Sequence, residues 1–307
     1  MSRKIAGPIR ENARLFLKRA IQELVSDPSS NEKALTEEQA IMAVSLIQSC
    51  FELSVVALFI ERSGLAGIVN KGDTGCTEEE LLKKFEDNDL STKNFNVLKE
   101  QLVQSYGLMD KDNDIALIDD FQRMRNKVMH LKFHFDEGDR FDLQFELIYF
   151  ITRVIIPILD EEEINPAQVL KELMGSDGFR KLVAYPAYRL QAHRIALCWT
   201  PVVHDCMKCG CNSLGVDYDD SKCYACCASY HGTKFIDCQA CKAEQSVIYD
   251  NLNITSQPQR IINGRCLRCQ ISALVHACQV CDRHDWYDDV DQQDTCTPSR
   301  CAVFTED

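Results

Sequence analysis

Long apolar runs are missing from this chain of 307 residues. A membrane-spanning helix needs roughly 20 consecutive apolar residues, and the richest stretch, around Val55–Ile60, is bracketed by Glu52 and Glu61. The opening residues MSRKIAGPIR hold no apolar segment of the kind a secretory signal carries. Both absences make a soluble, cytoplasmic protein with no membrane partner the expectation. A basic excess is missing too. The formal net charge is −13, with 25 basic and 32 acidic side chains over residues 1–200 and 9 and 15 over residues 201–307. Phosphate contacts need a basic surface, so neither half reads as a general polyanion binder. Low-complexity tracts and fixed-period repeats are lacking as well. Cysteine is nearly absent from the first 200 residues, which hold only Cys50, Cys76 and Cys198.

The first 200 residues read as helical, with a length that suits a domain able to bury its own core. Ala13, Phe16, Leu17, Ala20, Ile21 and Leu24 make an apolar helical stripe over residues 9–25, which SDPSS at 26–30 ends. A long helix is expected over 32–62. Gly64, Gly67, Gly72 and Gly75 then mark a loop, and the acidic first turn TEEE opens another helix at 77–80. Asp89–Leu90–Ser91 precedes a further helix, closed by Gly107. MDKDND at 109–114 reads as a turn, with Asp119 or Asp120 capping the helix that follows. DEGD at 136–139 precedes an apolar helix over 141–159, and two weaker helices fill 166–174 and 177–197. Helix pairs joined by short loops pack as an all-α bundle over 1–200.

The remaining 14 cysteines all lie beyond Thr200–Pro201 and define a second domain over 201–307. Twelve of them fall into close pairs: Cys206 and Cys209, Cys223 and Cys226, Cys238 and Cys241, Cys266 and Cys269, Cys278 and Cys281, then Cys296 and Cys301. Five of these are CxxC. Such short loops strain a disulfide, whereas they let two thiolates face one Zn²⁺. Taken in order, the pairs make three sets of four thiolates, hence about three structural zinc ions. A redox or disulfide role is the alternative, and an interleaved pairing stays open. Closed tetrahedral sites would supply the folding energy that a segment poor in large apolar residues lacks. Lys234–Ile236, Ser246–Tyr249 and Gln259–Ile262 are short β-prone pieces between the pairs, as in zinc ribbons. Gly210 suits a knuckle turn, Cys211 and Cys227 are spare or substitute ligands, and His276 and His284 flank the last CxxC.

One stretch of the helical half carries chemistry. Residues 123–130 read RMRNKVMH. On an ideal helix, Arg123, Asn126 and His130 share a face, while Arg125 and His130 are separated by about 140°. The long Arg125 side chain would have to swing toward that face. A guanidinium can hold phosphate oxygens and stabilise developing charge, and an imidazole can move a proton near neutrality. Asn can orient either one. No acidic cluster for Mg²⁺ adjoins these residues in the sequence, so the expected chemistry uses no metal at the catalytic site. It would then need the ribose 2′-hydroxyl as internal nucleophile, which makes RNA the substrate.

The R-N-x-x-x-H spacing of Arg125, Asn126 and His130 on a late helix, after a long apolar helix and a glycine-rich loop, resembles the HEPN superfamily over residues 10–160. The resemblance implies a metal-independent endoribonuclease whose two motifs meet across a homodimer interface and leave a 2′,3′-cyclic phosphate. It further implies that Arg125 stabilises the phosphorane, Asn126 orients and His130 acts as acid or base. Arg123 is a rival for the arginine role. Many such proteins are prokaryotic toxins or abortive-infection effectors, and here the zinc ribbons would sense a protein trigger or select the target.

Two other functions compete with this one. The chain could be a non-catalytic adaptor, an idle helical dimer joined to zinc ribbons. It could also be a zinc-dependent nucleic-acid binder through Arg260, Arg265 and Arg268, which the acidity of 201–307 disfavours. Arg10, Arg14 and Lys18 form a basic stripe that reads as a solvated face, and His134 and His193 are assigned no role.

Overall fold

The computed structural model describes residues 2–26, 34–105, 111–129, 137–160, 165–216, 221–256, 260–278 and 280–287. The chain divides into two compact units, Met1–Gln191 and Ala192–Asp307. The first is helical and the second is rich in β-strands. The division falls inside the helix Pro186–Trp199, ahead of the junction expected at Thr200–Pro201.

In the first unit, α1 (Ser2–Leu24) and α2 (Glu37–Ser63) make the most extensive helix–helix contact. The stripe of α1 is buried at Ala13, Leu17, Ala20, Ile21 and Leu24, but Phe16 stays partly exposed at the edge. Thr36 starts α2 with a reciprocal cap, accepting from Gln39 N at 3.2 Å while Thr36 N donates to Gln39 Oε1 at 2.9 Å. Ala43, Val44, Ile47, Phe51, Val55, Leu58 and Ile60 run buried along it. Among the described residues, α2 alone is long and apolar enough to cross a membrane, and 67% of that window is buried inside this unit. Arg10 and Arg14, read from sequence as solvated, are instead ion-paired with Glu61 and, at 3.6 Å, with Asp160.

Thr77 and Glu80 form a second reciprocal cap at the start of α3 (Glu78–Glu86). Asn94 opens α4 (Phe95–Ser105), its Oδ1 accepting from Val97 N at 3.1 Å. α5 (Lys111–Met129) corrects the sequence reading. It begins within the stretch expected to be a turn and runs through Asp119 and Asp120, which therefore cap nothing. The reason is burial: Asp114, Ile118, Phe121, Met124 and Val128 recur at helical spacing and are all buried, so the inward stripe starts a turn earlier. α6 (Glu137–Phe150) passes through a π-helical turn, Ile151–Ile155, into α7 (Ile156–Leu159). α8 (Pro166–Ala184) is kinked at Gly175, whose φ of 67° breaks the helix where two separate helices were expected. Pro186 opens α9 (Pro186–Trp199).

Phe51, Phe121 and Phe150 tie α2, α5 and α6 together. Phe121 stacks on Phe150 at 4.1 Å and Phe51 meets Phe150 edge-on at 5.2 Å.

The second unit contains two antiparallel sheets. The first has strand order β1 (Val203–Asp205), β2 (Asn212–Gly215), β3 (Ser221–Cys223), β4 (Ser229–Tyr230). The second runs β5 (Thr233–Ile236), β6 (Val247–Asp250), β7 (Ile261–Cys266), β8 (Ser272–Ala277), β9 (His284–Trp286), with the short α10 (Asn251–Ser256) between β6 and β7. Of the three β-prone segments named from sequence, two fall on β5 and β6 and the third enters β7 at Ile261, its Gln259 lying outside the described residues. Val247, Tyr249, Ile254 and Val275 form the small core of the second sheet together with Cys238 and Cys266. Gly264 lets that core close, because a Cβ there would lie 2.8 Å from Val247 Cγ1 and 2.9 Å from Val275 Cγ2.

Candidate functional site

The helix that carries the arginine–histidine motif is held at several points. Arg153 Nε donates to Asp114 Oδ1 at 2.8 Å, so the π-helical turn after α6 secures the first turn of α5. Lys99 from α4 pairs with Asp119 at 2.9 Å, and Gln122 Nε2 donates to Gln48 Oε1 of α2 at 2.9 Å. Together with Phe121, these contacts fix the rotation of α5 and hence which residues face outward.

Beyond that anchor, Asn126 and Arg123 are exposed and Arg125 is half-buried. Arg125 Nη1 donates to Asn126 Oδ1 at 2.9 Å, which draws its guanidinium around the helix toward the Asn126 face. Arg123 turns the other way and forms an ion pair with Asp120, one turn earlier on α5. His130 follows the last described residue of α5 and lies outside the described residues, as does His134.

The fold also brings together groups that the sequence keeps apart. A groove of about 690 Å³ between α5 and α6 is lined by Asp120, Arg123 and Lys127 on one side and Asp139, Asp142 and Glu146 on the other. Its floor is apolar, with Leu117, Phe121, Met124 and Leu143. Burial pushes the Glu146 carboxyl above its ordinary pKa, and the negative charges of Asp120 and Asp142 add to the shift. Packing of α6, the next helix, thus brings carboxylates beside the motif helix. Among the described residues, however, they do not converge as a metal-binding set; only two groups do, and both are cysteine quartets.

Those quartets are Cys206, Cys209, Cys223 and Cys226, and Cys238, Cys241, Cys266 and Cys269. Of the pairings the sequence left open, the first two sets follow chain order. Sulfur–sulfur distances are 3.7 Å for Cys206–Cys226 and for Cys209–Cys223, and 3.8 Å for Cys238–Cys269 and for Cys241–Cys266. A disulfide would need about 2.05 Å. A tetrahedron of thiolates around an ion with bonds of about 2.3 Å has edges of about 3.75 Å, so the arrangement fits a four-thiolate metal site. Proton competition points the same way. Hydrogen bonds from Cys209 and its neighbours pull the Cys206 thiol far down, while Cys206 and Cys211 push Cys209 far up. Four thiolates cannot share so small a space without a cation.

Each CxxC has one local geometry. The amide of its first cysteine donates to the carbonyl five residues on, and the residue four on donates back to that cysteine's carbonyl. The pairs are Cys206 with Cys211 and Gly210, Cys223 with Ala228 and Cys227, and Cys238 with Ala243 and Lys242. Cys266 with Ile271 and Gln270, and Cys278 with Arg283 and Asp282, complete the series. The residue four on is left-handed every time: Gly210, Cys227, Lys242, Gln270 and Asp282 have φ between 56° and 66°. Cys211 and Cys227, read as spare ligands, thus occupy knuckle positions outside the quartets. Cys278 and Cys281 form a fifth knuckle of the same build, while Cys296 and Cys301 lie outside the described residues. His284 Nδ1 meets Tyr249 Oη at 2.6 Å, and the His276 ring lies against Tyr287; neither belongs to a quartet. His193, given no role from sequence, fastens α9 to β2 through its Nδ1 contact with Asn212 O at 2.7 Å.

Sequence reasoning did not find the hydroxyls around the quartets. Tyr230 Oη lies 3.2 Å from Cys206 Sγ, Ser213 Oγ 3.3 Å from Cys223 Sγ, and Ser246 Oγ 3.4 Å from Cys266 Sγ. Only strand pairing puts them there. No protein-family model, curated protein or solved structure matches this chain.

Proposed function

We propose that the protein is a metal-independent endoribonuclease of the HEPN type, acting in the cytoplasm as a homodimer, with ribbons that hold about three zinc ions. One observation carries the reading: the hydrogen bond from Arg125 Nη1 to Asn126 Oδ1, which supports placing guanidinium and amide on the face that leads to His130. The mechanism follows from the groups. His130 would take the proton from a ribose 2′-hydroxyl or return one to the departing 5′-oxygen, while Arg125 stabilises the charge on the phosphorane. The product would be a 2′,3′-cyclic phosphate. Arg123 is the weaker candidate because Asp120 already neutralises it.

The two quartets would each hold a structural zinc, and Cys278, Cys281, Cys296 and Cys301 a third. The fifth knuckle supports this third site, since its hydrogen bonds reproduce those of the four knuckles in the quartets. Closed four-thiolate sites do no hydrolytic chemistry. The ribbons would instead recognise a trigger or help choose an RNA in a phage-defence or toxin role.

Cleavage of total RNA by the zinc-loaded protein, followed by end-group analysis, tests the reading. A 2′,3′-cyclic phosphate lost in His130→Ala supports it; intact RNA across trigger candidates, including phage-infected lysate, overturns it. A second reading, a non-catalytic adaptor, is favoured by the acidic lining of the groove that Arg123 shares. It requires full biological activity in His130→Ala.

A further inference from the structure

The two quartets differ in how their sulfurs are shielded. In the first, Cys206 and Cys223 are buried and Cys209 and Cys226 are half-buried. Hydroxyls of Tyr230 and Ser213 reach Cys206 and Cys223. In the second, Cys238 and Cys266 are buried and Cys241 is half-buried, but Cys269 is exposed. Ser246 Oγ lies 3.4 Å from Cys266 Sγ while its proton goes to Ala243 O, and among the described residues no side-chain hydroxyl reaches Cys269. Exposed Arg268 precedes it in the chain.

These differences act on reactivity in one direction. A metal-bound thiolate keeps lone pairs able to attack soft electrophiles; hydrogen-bond donors withdraw electron density from them, and burial blocks the approach. Of the eight quartet cysteines, Cys269 alone is exposed and so has the most open approach; its sulfur accepts from the Ile271 backbone amide and from no side-chain hydroxyl.

We infer that Cys269 is a modification site through which a hydroperoxide opens the second metal centre while the first stays closed. The Cys269 thiolate attacks one peroxide oxygen; the O–O bond breaks, leaving Cys269 sulfenic acid and hydroxide. The Cys238 thiolate, its sulfur 3.8 Å from that of Cys269, then attacks the sulfenic sulfur. An S–S bond forms and a second hydroxide leaves. The two cysteines have lost two electrons and the peroxide has gained them. The ion keeps two of its four thiolates and dissociates. The inference rests on metal occupancy of the second quartet and is independent of ribonuclease activity.

The test uses the full zinc-loaded chain, its zinc content measured first. Hydrogen peroxide is added in steps, released zinc is followed with a chromogenic chelator, and the cysteines are mapped by mass spectrometry after thiol trapping. Among the eight quartet cysteines, Cys269 should be modified first, appearing in a disulfide with Cys238 as one zinc leaves and Cys206, Cys209, Cys223 and Cys226 remain reduced. Cys269→His, which retains a fourth ligand, should slow release of that zinc about tenfold or more. Equal oxidation of both quartets, earlier oxidation of the first, or undiminished release from Cys269→His overturns the inference. Should Cys269→His fail to hold zinc, the map of the wild-type chain decides alone. A second quartet that never carries metal sinks the metal reading along with it, whereas occupied quartets that oxidise alike sink only this inference.

Discussion

Arg125 and Asn126 leave α5 about 100° apart, yet the Arg125 guanidinium donates to the Asn126 side-chain oxygen at 2.9 Å. That bond converts two adjacent helical positions into one pair of groups on the Asn126 face of α5. It distinguishes Arg125 from Arg123, which is committed to Asp120. Arg125→Ala and His130→Ala should each lower RNA cleavage about 100-fold or more, the ordinary scale for loss of a charge-stabilising or proton-transfer group. Arg123→Ala should cost less than about tenfold on the same scale. Single-turnover rates on one RNA, with circular dichroism to confirm folding, check the ordering; an Arg123 effect larger than that of Arg125 reverses the assignment.

Burial and two neighbouring carboxylates raise the Glu146 pKa. A carboxyl with a raised folded pKa holds its proton more tightly in the folded protein than in the unfolded chain. Its contribution to stability therefore falls as pH rises from the unfolded value, about 4.3, toward the folded value. Glu146→Gln removes that loss. Urea midpoints should show the variant gaining on wild type between pH 4 and pH 7, with the difference vanishing at the acidic end.

Asp114 is almost fully buried and bonded to Arg153, a side chain about one-quarter exposed. Asp114→Ala leaves a guanidinium short of its carboxylate partner inside the bundle. The expected cost lies somewhat below the ~3–5 kcal/mol of a fully buried pair. Chemical denaturation measures it. Because the pair secures the first turn of the motif helix, RNA cleavage should also fall in the variant while it is still folded.

Metal content follows from the quartets. The protein should bind at least one zinc for each, and Cys238→Ser should lower the content by about one per chain, since four thiolates are needed to close each site. Strong chelators should unfold the β-rich unit, because closed four-thiolate sites of this kind supply folding energy. Far-ultraviolet circular dichroism should retain the helical signal of the first unit.

Gly264 sits where β6, β7 and β8 come closest. Gly264→Ala forces a methyl group against Val247 and Val275, at an expected cost of about 1–3 kcal/mol. Loss of zinc from the second quartet at a lower chelator concentration than in wild type would report it.

The sequence by itself determined the division of labour along the chain. Helical periodicity marked the bundle, because buried positions on an amphipathic helix must recur with its turn, and Leu17, Ile21 and Leu24 do so. CxxC spacing marked the knuckles, because two sulfurs three positions apart face one point through a purely local turn. Local signals failed where a local rule had a rival: MDKDND looks like a turn, but the burial of Asp114 against Arg153 outweighs its propensity and carries the helix through.

Only the tertiary structure decided what depends on contacts between distant segments. The carboxylates of α6 line one groove with Arg123 because α5 and α6 pack side by side, and no spacing within either helix encodes that groove. Quartet membership is set by the strands, which bring Cys206 to Cys226 and Cys238 to Cys269. The difference in exposure between Cys269 and its counterparts arises in the same way, since shielding is a property of neighbours rather than of residue type.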